Sequence, residues 1–266
     1  MNADKTFWIG KDHNICEDFA LAEVKDNFAY AIVSDGCSAS PDVDFGARLL
    51  TICAKENICR WDLLRGDATR LGWKTIHDAK EITDRFSLLH PQCLDATLLV
   101  TWVQDKKLTA YLYGDGLLVI RKKSGQINTF HIHLTSGAPD YLSYSLDPQR
   151  MAAYNALKDN TKEITTTSGI EDCLIKTDLK PFEPFVQIKD IPVEDGDIVA
   201  VISDGINSFR KSDYTPIPWR ELIDEFTGFK NFEGDFVLRR VSAFKRKCLK
   251  EGITHSDDIS VAAILV

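Results

Sequence analysis

Apolar residues fall along this chain in two rhythms. In the first, short unbroken runs lie between polar turns, the pattern of strands. Such runs occupy 6–9, 19–24, 28–33, 96–103, 108–113, 117–121, 127–134, 185–188, 198–203 and 259–266. The second rhythm spaces apolar residues three and four apart, which makes one face of a helix. Leu50, Ala54, Ile58 and Trp61 keep it, as do Val237, Val241, Phe244 and Cys248. Helices are expected after Asp42 or Asp44, either of which suits a cap, and over 69–89, 148–157, 218–226 and 235–249. Blocks of strands separated by helix pairs argue for an α+β class, with largely antiparallel sheets covered by helices. No repeat, low-complexity run or linker interrupts the chain. Residues 1–266 are therefore expected to form one domain, with the polar, weakly patterned stretch 135–180 as an insertion or flap beside a site.

The chemistry sits at the strand ends. The run 28–33 breaks at Ser34-Asp35-Gly36. A carboxylate closing a buried strand is costly unless its charge is compensated. Gly36 lets backbone approach a ligand closely, and an acid beside a bare carbonyl suits a hard cation. A lone Asp-Gly is ordinarily a turn, and Asp195-Gly196 is read that way. Recurrence changes the picture. The run 198–203 ends in Asp204-Gly205, 259–266 follows His255-Ser256-Asp257-Asp258, and 19–24 follows Glu17-Asp18. Short carboxylates and a carbonyl can hold two divalent ions about 3.5–4 Å apart; the ions share a water, lower its pKa and neutralise phosphoryl oxygens during in-line attack. No side-chain nucleophile is then needed. GxSxG, HExxH, P-loop and EF-hand patterns are all absent from the sequence.

Composition narrows the partners. A net charge of -8 over 266 residues argues against a nucleic-acid backbone as main partner, while bound metals would still admit an anionic substrate. No apolar run reaches the ~18 residues of a membrane helix. The first residues lack the basic-then-apolar layout of a signal peptide, so the expected home is the cytosol. Seven cysteines without a CxxC are read as reduced core thiols rather than a zinc frame or disulfide scaffold.

Taken in order, Glu17-Asp18, Ser34-Asp35-Gly36, Asp95-Ala96-Thr97, Gly114-Asp115-Gly116, Ser203-Asp204-Gly205 and Asp257-Asp258-Ile259-Ser260 resemble the motifs of the metal-dependent serine/threonine protein phosphatases of type 2C. The likeness runs from about residue 10 to 265, and the loop Cys37-Ser38-Ala39-Ser40 is similar to a bacterial subgroup. It implies a β-sandwich of two antiparallel sheets flanked by helix pairs. It also implies Mg²⁺ or Mn²⁺, two ions or three. Asp35 would bridge two ions, with the Gly36 carbonyl on one and Asp204 and Asp257 on the other. Asp18 and Glu17 would hold metal-bound waters, and Asp115 a third ion. Asp258 stands where the family has Asn and is expected behind the ligands. His13 occupies the place of a phosphate-gripping Arg, with Lys11 as a substitute. Cys37 and Gly116 replace the usual His of animal and plant members and the usual Ser.

The implied activity is hydrolysis of phosphoserine or phosphothreonine by a hydroxide bridging the ions. The implied partners are a phosphorylated protein and its cognate serine/threonine kinase. Two alternatives stand beside it: a catalytically inactive member acting as a regulatory binding module, and a phosphatase for a small phosphoester. Bland readings also stand. Asp115 reads equally well as a hairpin turn, and His13 as an exposed loop residue. His131 and His133 read better as a solvated strand face than as a metal pair, and His255 as a support for the Asp257 loop or as nothing.

Overall fold

In the computed structural model the described residues are 1–60, 65–135, 139–157, 161–168, 171–178 and 185–266. Ten of the apolar runs become strands of two antiparallel sheets. One sheet orders β1 (Asn2–Trp8), β14 (Ile259–Leu265), β11 (Ile198–Ile202), β6 (Gly116–Arg121), β7 (Ile127–Leu134), β8 (Thr161–Ser168) and β9 (Glu171–Asp178). The other orders β10 (Val186–Pro192), β5 (Lys107–Tyr113), β4 (Leu98–Gln104), β3 (Phe28–Ser34) and β2 (Phe19–Lys25). A short pair, β12 (Phe209–Arg210) and β13 (Thr254–His255), lies apart. Among the described residues five α-helices follow the same numbering: α1 (Val43–Arg60), α2 (Ala68–Thr83), α3 (Pro148–Asn155), α4 (Trp219–Thr227) and α5 (Phe236–Glu251).

The unbroken runs are explained by layers. Successive side chains of a strand point to opposite faces, and here both faces are covered. In β3, Ala29, Ala31 and Val33 enter the layer between the sheets, where Leu118, Val199, Val201, Ala262 and Ile264 meet them. Phe28, Tyr30 and Ile32 point the other way, onto Leu50, Ala54 and Ile58 of α1 and Leu71 and Ile76 of α2. On the far side, Leu117, Val119, Ala200, Ile202 and Val261 pack on Ile223 and Phe226 of α4 and on Val237, Val241 and Phe244 of α5. The result is a four-layer sandwich, α1/α2 on one face and α4/α5 on the other, as expected.

Several boundaries differ from the sequence reading for physical reasons. β1 begins at Asn2 rather than residue 6 and pairs with β14 along its whole length. Its polar start conceals a structural role: the Asp4 carboxylate accepts the Val237 and Leu238 N–H groups, capping α5 from 233 residues away. α2 stops at Thr83 instead of running to 89. There the bonds tighten to Arg85 N–H on the Ile82 carbonyl and Phe86 N–H on that of Thr83, closing the last turn. β8 and β9 were not expected, because Thr161–Ser168 and Glu171–Asp178 lack apolar alternation; they extend the sheet at its edge, where polar strands are tolerated. β10 continues past residue 188 through a bulge between Ile188 and Ile191. Trp61, expected on the buried face of α1, lies outside the described residues.

Candidate metal centre

The sandwich brings the ends of β3 and β11 and the starts of β2 and β14 to one edge. Asp35 follows the fully buried β3. Its N–H donates to Thr97 Oγ1 at 3.1 Å, and its carbonyl accepts the Thr97 N–H at 2.9 Å. Gly36 N–H donates to the Glu17 carbonyl, and Cys37 N–H to that of Asp95. The backbone of 35–37 is thus held on both sides by 95–97 and 17. Gly36 is required by packing as well as by ligand approach, since a Cβ there would sit 2.9 Å from Val43 of α1 and 3.0 Å from the Glu17 carbonyl.

Asp115 lies on a link of a different kind from a hairpin, which was one of its two equal readings. β5 belongs to one sheet and β6 to the other, so Gly114-Asp115 carries the chain across the sandwich. The glycines on either side have φ of +92° and +135°, conformations that L side chains avoid. That accounts for glycine at 116. Asp204 opens a short 3₁₀ turn after β11, and Asp257 precedes β14 with its N–H on Ser208 Oγ.

Asp18 is 1% exposed and lies under this group. Its Oδ2 accepts from Ser203 Oγ at 2.7 Å, and Ser203 Oγ in turn accepts the Ser260 N–H. Asp258 is a clasp: its two carboxylate oxygens accept the Gly10 and Glu17 N–H groups at 2.6 and 2.5 Å. It therefore fixes the 10–17 loop over the site. Lys11 and Asp12 N–H groups bind the His255 and Ser256 carbonyls, completing the fastening.

The electrostatics are unbalanced. Burial, with Asp18, Asp204 and Asp257 nearby, pushes the Asp35 carboxyl well above the usual carboxylate range. Burial raises Asp18 to about 7, against the opposing hydrogen bond of Ser203. Burial and Asp204 raise Asp115 well above its ordinary value, and burial and Asp204 raise Asp257 to about 6. Among the described residues no lysine or arginine pairs with any of these acids. Asp18 Oδ1, Asp204 Oδ1 and Glu17 Oε2 are buried without a hydrogen-bond partner. Orphaned, like-charged oxygens converging at strand ends are what a hard divalent cation would satisfy, so the residues present fit the implied metals.

Other sites expected from the sequence fall differently. Asp35, Gly36, Asp115, Asp204 and Asp257 line one cavity of about 440 Å³, together with Cys37, Thr97, Asn207, Tyr141 and two histidines, His131 and His133. His13 and Lys11 do not line it. Lys11 is exposed. His13 is engaged by three acids, with Nδ1 3.0 Å from Asp258 and 3.6 Å from Glu17, and Nε2 3.5 Å from Asp257. Burial pulls its pKa down, but those carboxylates, Asp258 foremost, outweigh burial and hold it above its ordinary value. His13, Glu17 and Asp258 are the one set of three metal-competent side chains, among the described residues, whose ligand atoms lie within 4.8 Å of one another. Asp35, Asp204 and Asp257 are spread more widely around the cavity.

His131 departs from the reading of a solvated strand face, being half-buried on the cavity wall with Nε2 shielded, whereas His133 is exposed. His255 is a core residue between Trp8 and Phe209, ring centroids 3.9 and 4.9 Å away. Burial, with Lys245, lowers it to about 4. Asp95, named in the sequence only as part of a motif, accepts from Ser40, Ser143 and, in a two-pronged pair, Arg150 of α3. Only the length of the Arg side chain hinted at such reach.

Comparison with known proteins adds to this geometry. The profile of the protein phosphatase 2C family matches residues 10–241. No curated protein sequence matches significantly. Among solved structures, the serine/threonine phosphatase Stp1 from Staphylococcus aureus is 14% identical, with a TM-score of 0.53 over 100% of this chain and 95% of its own. The S. agalactiae serine/threonine phosphatase is 14% identical, with a TM-score of 0.53 over 99% and 98%. PppA of Pseudomonas aeruginosa, described as a regulatory component of T6SS, is 15% identical, with a TM-score of 0.50 over 99% and 97%. At such identities the likeness is one of fold. Among the described residues no helix is long and apolar enough to cross a membrane. With the family profile spanning most of its length and the acids gathered at one sheet edge, the chain belongs to the metal-dependent protein phosphatase 2C family.

Proposed function

We propose that this chain is a Mg²⁺- or Mn²⁺-dependent phosphatase that hydrolyses phosphoserine or phosphothreonine in a phosphoprotein. The observation that carries the reading is the group of buried acids with orphaned oxygens and, among the described residues, no lysine or arginine partner. Asp35, Asp204 and Asp257 would hold the ions, with Asp18, Glu17 and the Gly36 carbonyl behind or beside them and Asp115 available to a third. Ions bound there supply an activated water as nucleophile and charge neutralisation at the phosphoryl oxygens.

The chain's own residues do the rest. The Thr97 and Asp95 bonds fix Asp35 before substrate arrives, so little reorganisation is needed at the reacting centre. Asp258 holds the 10–17 loop, and with it Glu17, against the site. Thr97, Asn207 and Tyr141 present polar groups along the cavity. The expected partners are a phosphorylated protein and the serine/threonine kinase that acts on it.

One observation favours the alternative of an inactive binding module: His13 is occupied by carboxylates. Turnover of p-nitrophenyl phosphate and a phosphothreonine peptide, with Mg²⁺, Mn²⁺ or EDTA, decides between them when run beside Asp35→Asn and Asp204→Asn. Metal-dependent turnover lost in both variants supports the enzyme. Calorimetric metal binding without turnover supports the module, and faster turnover of nucleotides or sugar phosphates than of the peptide supports a small phosphoester.

A further inference from the structure

The cavity has a second wall that the proposed chemistry does not use. In β7, Ile132 enters the layer between the sheets, so His131 and His133 must both face the opposite way. Their rings lie nearly parallel, 11° apart, with centroids separated by 6.4 Å. Trp219, the first residue of α4, backs His131 at 4.9 Å, and the Arg220 guanidinium lies over the same indole at 4.7 Å. Both histidines line the cavity that holds Asp35, Asp115, Asp204 and Asp257.

His131 Nε2 is buried and has no hydrogen-bond partner. An orphaned ring nitrogen is uncommon and calls for a reason. Neither histidine belongs to the one set of three ligand-competent side chains that, among the described residues, lie within 4.8 Å of one another. Burial, helped by His133 and Arg220, lowers the His131 pKa to about 4, so the ring is neutral near pH 7 and acts as a hydrogen-bonding group rather than a charge. His133 is exposed, so the wall runs from a buried polar nitrogen to the surface. Such a path suits an extended chain entering from solvent better than a compact ester. At 440 Å³ the cavity also has room for more than a phosphoryl group.

We propose that His131 and His133, backed by Trp219, form a subsite for the polypeptide flanking the phosphoresidue, with His131 Nε2 hydrogen-bonding its backbone. This rests on the phosphoprotein reading above and adds a specificity-determining residue to it. The test compares His131→Phe, which keeps a ring against Trp219 but removes the nitrogens, with His131→Gln, which restores a polar nitrogen at similar reach. kcat and KM are measured on a phosphothreonine peptide and on p-nitrophenyl phosphate, which has no peptide.

The expected result is a ratio of peptide to p-nitrophenyl phosphate kcat/KM that falls about tenfold in the Phe variant, mainly through KM, and recovers in part with Gln. Equal losses on both substrates, or no change in the ratio, would overturn the subsite. A turnover-independent arm titrates the labelled phosphothreonine peptide into protein with Mg²⁺ and reads fluorescence anisotropy. Binding weakened by His131→Phe supports the subsite even if the wild type turns over neither substrate, an outcome that would fail the phosphatase reading alone. Unchanged binding, or none to the wild type, overturns it.

Discussion

The two walls of the cavity are built by opposite rules. The acidic wall consists of residues at the points where buried strands stop: Asp35 after β3, Asp204 after β11, Asp257 before β14 and Asp18 before β2. Each is anchored through its neighbours' backbone, and all are exposed to one another's charge. The histidine wall lies within a strand. His131 and His133 have their backbone in the β6–β7–β8 ladder, opposite Thr165 and Glu163 of β8, and their environment comes from a helix that packs across them. The first wall crowds carboxylates whose charges repel one another. The second is neutral at its core and contributes shape and one unpaired nitrogen. Under the proposed function the first wall would serve chemistry on any phosphoryl group and the second would tell substrates apart.

If that contrast holds, the acidic wall should fail abruptly. Asp35→Asn is expected to lower kcat on p-nitrophenyl phosphate on the order of 10³-fold or more, because charge complementarity at the reacting centre is lost. The same variant should melt higher than wild type in EDTA, since one of several crowded carboxylates is removed. A variant retaining wild-type turnover would break the comparison at its base.

The clasp behind the acids comes next. Asp258→Ala leaves the Gly10 and Glu17 N–H groups without their acceptor and should cost about 2–4 kcal/mol in urea unfolding. Asp258→Asn keeps an acceptor oxygen and should cost about half as much. Equal stability of the Ala variant and wild type would mean that the 10–17 loop is held by something else.

A third expectation concerns pH. Asp35 and Asp115 lie above their ordinary range, Asp18 at about 7 and Asp257 at about 6. From about pH 4 to 7 the folded protein keeps protons that the unfolded chain has already released. Stability therefore falls as pH rises through that window. In EDTA the melting temperature should drop by several degrees between pH 5 and pH 8. Saturating Mg²⁺ or Mn²⁺ should replace those protons and flatten or reverse the slope. A metal-free melting temperature that is flat or rises with pH would contradict the crowding of charge described here.

The smallest effect sharpens the other wall. His133→Ala, at an exposed position, should change unfolding free energy by no more than about 0.5 kcal/mol and leave the metal-free pH slope as it was. A large loss would show that the histidine wall is part of the fold rather than a surface for ligands.

The two walls also differ in how far adjacent residues determine them. Asp35, Asp204 and Asp257 stand where buried strands end or begin, and the structure brings all three to one cavity. The apolar runs themselves announced strands covered on both faces, and the 3.6-residue spacing of α1 and α5 announced the helices that cover them. Local rules suffice for such features, since burial of a strand or helix face is written in adjacent residues.

Tertiary structure alone decided the rest, for one physical reason: each case depends on a partner far away in the chain. Asp4 caps α5 only because β1 pairs with β14. Asp115 leaves the hairpin reading only because β5 and β6 belong to different sheets. Asp258 becomes a clasp once the 10–17 loop folds onto 255–258, and the same fold surrounds His13 with carboxylates instead of leaving it open to phosphate. His131 faces a cavity rather than solvent because α4 sets Trp219 against it. A side chain's chemistry is local, but its neighbours, and so its charge state and its vacant bonds, are set by packing.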